Sequence, residues 1–298
     1  MKRADVVRGA ALLRVRLCAA VLLKLARFRP LDRLARRLSS TRPGRLAADW
    51  LLGYRRPFPS LVAAAMVADR FLASVHETRA NRYQHLRFSE TPRVSDYPVI
   101  FFLSRIEGDF RVFDLGGNFG VLFYCYRRYL PNASRMRWTV FDLPDTVRLG
   151  CRLARRRGVA DRIEFATGLE AADGVEVFLA SGSLHYFDRS LPEMLAALRH
   201  PPVHVIVNRT PLNDGATVAT VQDAGFGLAA CILYDGGGLI DGMRALGYAL
   251  VDRWSIHDLA VTIPLHPELS APFYSGLYFR RVPDGAFGTG KAITPSTP

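Results

Sequence analysis

The chain has 298 residues, 49% of them hydrophobic, with 18 Phe and 11 Tyr, which is enough apolar surface for a large core and excludes a disordered chain. Its net charge is +13, yet residues 1–48 hold 13 Lys/Arg against two acidic residues, so +11 lies there and only +2 on the remainder. A duplex-binding enzyme carries its positive field around the active cleft as well, so nucleic acid is not an expected partner.

Residues 1–48 read as a basic amphipathic helical segment. Val6 to Leu38 is rich in Ala, Leu and Arg and predicts helix interrupted near Pro30. Its longest uncharged run, Leu17 to Leu23, falls far short of the roughly 20 apolar residues that span a bilayer. Arginines inside the apolar stretch, and the lack of a clean small-residue cleavage site, argue against a signal peptide. Two readings stay open. In one, the helix packs on the catalytic domain with its arginines in water. In the other it rests on an anionic membrane surface, Leu13, Leu17, Val21 and Leu25 forming its apolar side, which would put a cytoplasmic protein on the inner face of the membrane.

Residues 49–95 form a helical cap or accessory region, with helical character from Leu61 to Asn81. Its aromatics, Trp50, Tyr54, Phe58, Phe71, Tyr83 and Phe88, are expected to pack domains together rather than to touch a ligand.

Residues 96–282 carry an α/β pattern. After a short apolar helix, Tyr97 to Ile106, the stretch Arg111 to Leu115 reads as a buried strand running into Gly116-Gly117-Asn118-Phe119-Gly120, then a helix from Val121 to Tyr129. Strand, glycine turn and helix together suit a nucleotide-like ligand at the C-terminal edge of a parallel sheet: glycines allow close approach, and the helix start offers unpaired N–H groups. A second unit follows. Trp138 to Phe141 is a strand ending in Asp142, whose two carboxylate oxygens can accept both hydroxyls of a ribose, and a helix runs from about Asp145 to Arg157. Ile163 to Ala166, Val175 to Ala180 and Val203 to Val207 are further strands, the last two ending in Ser181 to Tyr186 and in Asn208-Arg209-Thr210. Strands 248–254 and 276–281 suit an antiparallel closing hairpin, and the Tyr234 to Gly238 run suits a mobile or tightly turned loop that gates the pocket. The dinucleotide fingerprint fails at Asn118 and Val121, and no P-loop Gly-Lys-Ser/Thr follows the strand. Cys18, Cys125, Cys151 and Cys231 lack the spacing of a disulfide scaffold or structural zinc site, so no metal is expected. Residues 283–298, rich in Gly, Pro and Thr, read as a flexible tail.

Asp114-Leu-Gly116-Gly117-Asn118-Phe-Gly120 resembles the first motif of class I S-adenosylmethionine-dependent methyltransferases, with Asn118 in place of the middle glycine. Together with Asp96-Tyr-Pro-Val-Ile-Phe-Phe-Leu103, Ser181-Gly-Ser-Leu-His-Tyr186, Asn208-Arg-Thr-Pro211 and Gly247-Tyr248, it resembles an uncharacterised methyltransferase family often encoded near surface-polysaccharide genes. The resemblance covers about residues 80–281. Members commonly carry Gln before the Tyr at 186 and an acid before the Arg at 209; this chain has His185 and Asn208. The Asp142-Leu-Pro144 sequence is also similar to plant-type small-molecule O-methyltransferases, in which the corresponding Asp binds the cofactor ribose.

The resemblance implies a Rossmann-like α/β fold, a seven-stranded mostly parallel sheet in the order 3-2-1-4-5-7-6 with only the last strand antiparallel, preceded here by N-terminal helices. It implies S-adenosyl-L-methionine as cofactor and methyl transfer to a small molecule or saccharide precursor. The expected cofactor-binding residues are Asp114, Gly116, Gly117, Asn118, Gly120, Asp142 and Ser181. His185 is the candidate proton acceptor, or else a residue that stacks on or hydrogen-bonds to cofactor or backbone. Tyr186 is a candidate wall residue. Arg209 either binds an anionic substrate group or forms an internal salt bridge with Asp188, Asp214 or Asp235. His257 and His266 either border the substrate mouth or serve surface and packing roles. A noncatalytic binding or scaffold protein at a membrane surface is the competing class, since a fold does not guarantee chemistry.

Overall fold

The computed structural model describes residues 3–72, 74, 91–225 and 227–282, arranged around a nine-stranded sheet. Its strands are β1 (Phe110–Leu115), β2 (Met136–Phe141), β3 (Ile163–Ala166), β4 (Val177–Ser181), β5 (His204–Asn213), β6 (Val218–Asp223), β7 (Leu228–Asp235), β8 (Tyr248–Ile256) and β9 (Tyr274–Arg281). Seven of them form the body, in the order β3-β2-β1-β4-β5-β9-β8. The first five run parallel, and β9 is antiparallel to both β5 and β8. This is the Rossmann-like order that the sequence resemblance implies, closed by the expected hairpin of the last two strands.

Period-two alternation builds a core on each face of the sheet. Phe113, Leu115, Phe178, Ala180, Val205 and Val207 point to one side, where they meet α8 (Leu191–Ala196) and α9 (Gly236–Ala245). Val112, Trp138, Val140, Val177, Leu179 and Ile206 point to the other. There they meet α5 (Tyr97–Ser104), α6 (Val121–Tyr126) and α7 (Pro144–Arg156). Asp114 belongs to the second face, an acid in an otherwise apolar series.

Three parts of the chain differ from the sequence reading. The fifth strand does not stop at Val207 but continues to Asn213, with an irregularity between Val207 and Thr210. Its end pairs in parallel with β7, and β6 and β7 form an antiparallel hairpin inserted in the chain between β5 and β8. The Tyr234 to Gly238 run is not a gating loop. It ends β7 and opens α9, where the Asp235 carboxylate accepts a hydrogen bond from Gly237 N at 3.0 Å and caps the helix.

The N-terminal segment folds as α1 (Arg3–Leu25), α2 (Arg29–Ser40) and α3 (Arg42–Leu52), followed by α4 (Leu61–Ala68). Pro30 lies in the first turn of α2, where a missing N–H costs nothing. Buried Val15 and Ala19 of α1 face inward, and Val15 joins Tyr54, Phe58, Ala64 and Ala68 in a cluster against Ala219, Val221 and Leu228 of the hairpin. Of the stretch expected to have helical character from Leu61 to Asn81, Leu61–Ala68 forms α4; residues 73 and 75–90, with Tyr83 and Phe88, and the tail from residue 283 lie outside the described residues. Among the described residues, no helix is long and apolar enough to cross a membrane.

Candidate functional site

A cavity of about 280 Å³ opens at the C-terminal edge of the parallel strands. Gly116, Gly117, Asn118, Ser181, His185, Tyr186 and Arg209, which the sequence singles out, all line it. Asp114 and Asp142 stand just behind that lining, and Gly120 turns away from it towards Ile163.

The glycine turn explains its own residue types. Gly116 has φ +66°, and a Cβ there would lie 2.6 Å from Ser183 Cβ. A Cβ on Gly117 would overlap the Asp114 carboxylate beneath it. Asn118 takes the left-handed conformation, with φ 56°, and its Oδ1 accepts a hydrogen bond from Phe119 N at 3.0 Å. Asparagine is among the few residues that adopt this conformation readily. The backbone N–H of Asn118 donates to Asp142 Oδ2 at 2.9 Å, and Leu143 N–H donates to Asp142 Oδ1 at 2.8 Å. The turn after β1 and the acid after β2 are therefore one hydrogen-bonded unit.

Asp114 is fully buried. Trp138 Nε1 donates to its Oδ2 at 3.0 Å, while Oδ1 has no hydrogen-bond partner among the described residues. Burial pushes this carboxyl up to about 7; the indole N–H opposes the rise and the charge of Asp142 adds to it.

The irregularity in β5 shapes the next wall. Three steps from Val207 to Thr210 face two steps on β9, from Leu277 to Ser275, so β5 holds one extra residue. Arg209 there has φ 53°, a conformation that costs a non-glycine residue about 1–3 kcal/mol unless its surroundings enforce it. The enforcing contacts are visible. Arg209 Nη1 donates to Asp96 Oδ1 at 2.8 Å in a buried ion pair, and Tyr126 Oη donates to the same oxygen at 2.9 Å. Asn208 Nδ2 donates to Ser181 Oγ at 3.0 Å, and Trp254 Nε1 donates to Asn208 Oδ1 at 3.1 Å. The internal salt bridge open to Arg209 thus forms with Asp96, a partner the sequence reading did not name, instead of Asp188, Asp214 or Asp235. An anionic group reaching Arg209 would share its charge with Asp96.

His185 is buried, its ring centroid 4.1 Å from that of Tyr186 and 5.8 Å from that of Tyr274. Tyr186 Oη donates to Gln222 Oε1 at 2.8 Å, and Gln222 Nε2 donates to Tyr274 Oη. Burial pushes both phenols up, so they remain neutral hydroxyls at physiological pH. Cys125 also lines the cavity, and burial pushes its thiol up to about 11, which rules out a resident thiolate nucleophile near neutral pH. His257 is exposed and lies beside Phe273, and His266 faces Glu268; neither lines the cavity.

Asp96, Gln222 and Tyr274 are among the wall residues that sequence reasoning did not place. Asp96 heads a recognised motif, and its charge before an apolar helix was a usable signal. Gln222 and Tyr274 belong to no short motif; only the pairing of distant strands delivers them.

No family model matches the chain, and no curated protein matches it either. Among solved structures it is similar to the mitomycin 7-O-methyltransferase, at 16% identity over 70% of this chain and 59% of that one, with a TM-score of 0.43. The chain therefore spans about three fifths of that enzyme's length. It is also similar to a 1,6-didemethyltoxoflavin-N1-methyltransferase from Burkholderia thailandensis bound to S-adenosylhomocysteine, at 20% identity over 73% and 88% of the two chains, TM-score 0.45. An O-methyltransferase family protein from the same organism shares 19% identity over 76% and 64%, TM-score 0.43. Likeness of this degree concerns the course of the chain alone. Strand order and direction, read from the pairing above, give the fold as Rossmann-like and mostly parallel, with N-terminal helices on its flank.

Proposed function

We propose that this chain is an S-adenosylmethionine-dependent methyltransferase acting on a small molecule, a saccharide precursor being the acceptor class that its sequence resemblance favours. The observation that carries the reading is the hydrogen bond from Asn118 N–H to Asp142, which fixes a glycine turn and an acid beside one cavity. The site residues fit the cofactor on two further counts. Asp114 Oδ1 is buried and unpartnered among the described residues, ready to accept from a cationic amino group directly or through water. Gly116 and Gly117 both line the cavity, and neither has room for a side chain, a Cβ there meeting Ser183 or Asp114.

S-adenosylmethionine, when bound, supplies an electrophilic methyl group for in-line displacement. The chain's own residues then have three tasks. Asp142 holds the ribose hydroxyls and the turn holds the amino-acid end. Tyr186, Gln222 and Tyr274 form a neutral polar wall on the acceptor side. His185 takes a proton from the acceptor hydroxyl as it attacks.

Calorimetric titration with S-adenosylhomocysteine tests the first task. Stoichiometric binding that weakens about tenfold or more in Asp142→Ala is expected; absence of binding by the intact chain overturns the reading. Transfer of labelled methyl groups into a fractionated small-molecule and lipid-saccharide extract tests the reaction, and binding without transfer to any fraction would favour the scaffold alternative.

A further inference from the structure

The first three helices leave their apolar stripes in water. On α2, Leu31, Leu34 and Leu38 follow the i, i+3, i+7 spacing of one helix face, and they are 47%, 53% and 58% exposed. Arg29, Arg33 and Arg36 occupy the opposite side, and no residue of α2 is buried. This reverses the usual arrangement of a surface helix, which turns its apolar stripe to the core. On α1, Leu17 and Val21 are 57% and 55% exposed, on the side away from buried Val15 and Ala19. On α3, Trp50 is 61% exposed, with the Arg14 guanidinium of α1 lying 4.0 Å over its ring. That cation–π contact joins the α1 and α3 faces, and α2 packs on α3. Among the described residues, nothing covers these stripes.

We infer that this face docks on an anionic phospholipid bilayer, with α2 lying in the interface. Charge selects that occupant. Residues 1–48 carry a balance of +11, which attracts anionic headgroups and sets a second copy of the same face against its own like charge. The side-chain types agree. Leucines enter the acyl boundary, the arginines across the helix stay among phosphates and water, and an indole sits at the level where the two meet. The docked face is also tied to the cavity. Asp223, which binds Arg16 of α1 through 2.8 Å hydrogen bonds, is the residue after Gln222 of the cavity wall. The inference is independent of methyl transfer, because it uses no residue of the cofactor side.

Co-sedimentation of the full chain with phosphatidylglycerol–phosphatidylcholine vesicles, against phosphatidylcholine alone, tests it. Pelleting with the anionic vesicles that falls as salt rises is expected, as is a loss of roughly tenfold in partition when Leu31→Glu, Leu34→Glu and Leu38→Glu are combined. Because all three leucines are exposed, this variant should keep the parent's thermal melt, which is measured alongside. Equal recovery in the supernatant with both vesicle types would overturn the inference. So would sedimentation velocity showing a dimer of the parent, abolished by the same variant, with no vesicle binding.

Discussion

Asp223 grips Arg16 with both carboxylate oxygens, one 2.8 Å from Nε and the other 2.8 Å from Nη2, across 207 positions of sequence. Tyr54 Oη donates to Asp223 Oδ2 at 2.6 Å, so one buried acid on β6 gathers α1 and the segment after α3. Such bidentate pairs add geometric definition as well as energy. Burial alone would push the Asp223 carboxyl up, but the bonds from Arg16 and Tyr54 outweigh it and hold it at about 2.

Asp223→Ala should therefore free the N-terminal helices at a cost of about 1–3 kcal/mol, the half-exposed guanidinium limiting the effect. The same contact sets an acid response. A carboxyl whose folded value lies below its ordinary 3.8 adds stability above pH 4 and loses it as the pH falls towards 2. Hydrogen exchange of α1 amides against pH reads this directly; protection of α1 unchanged at pH 3 would remove Asp223 as the anchor.

Asp114 gives the opposite slope. Its folded value near 7 lies above its unfolded 3.8, so its contribution is complete below pH 4 and is lost as the pH rises through 7. The loss is bounded by about 1.4 kcal/mol per pH unit across that window. Asp114→Asn keeps the shape without the charge, and should flatten urea-derived stability between pH 4 and 7. A slope identical to the parent's would show that another group causes it.

Gly117→Ala should damage the turn and displace the carboxylate beneath it. The added methyl overlaps the Asp114 carboxylate, and overpacking of this kind costs about 1–3 kcal/mol. The expected result is a lower melting temperature together with loss of S-adenosylhomocysteine binding. A variant with parental stability would mean that Asp114 swings aside freely.

Asp96→Ala should be the most damaging single change near the cavity. It leaves the Arg209 guanidinium buried without its carboxylate, and it removes acceptors of Tyr126 and of Arg93 N. Breaking one side of a buried pair costs about 3–5 kcal/mol. Denaturant unfolding checks the magnitude, and a loss under about 1 kcal/mol would place the pair among solvent-screened ones.

The body of the fold was readable in the sequence because its signals are local. Arg111 to Leu115, Gly116 to Gly120 and the Asp142 turn each carry strand, turn and helix chemistry within a few residues, and their meeting follows from parallel neighbours sharing one edge. The β6–β7 hairpin went unread for the complementary reason. Asp223-Ala-Gly-Phe-Gly lacks a two-residue turn signature, and the apolar stretch from Leu228 to Leu233 does not alternate cleanly, being packed on both faces. The bulge at Asn208 and Arg209 was invisible for a further reason: neither residue is a glycine, and only the count of residues against β9 reveals the extra one. What sequence reading missed in the site, namely Gln222, Tyr274 and the Asp96–Arg209 pair, depends on those two features.

β5 serves three neighbours, pairing with β4 as far as Asn208, with β9 as far as Pro211 and with β7 at Leu212 and Asn213. The excursion from residue 214 to 235 thus departs from and returns to one rim of an already closed scaffold. Exchanging that stretch for another, with Asp223 retained, would recast the compartment around Gln222 while Asn118 and Asp142 kept their bond. The molecule is built so that this wall can diverge by graft, leaving the contact between the two turns untouched.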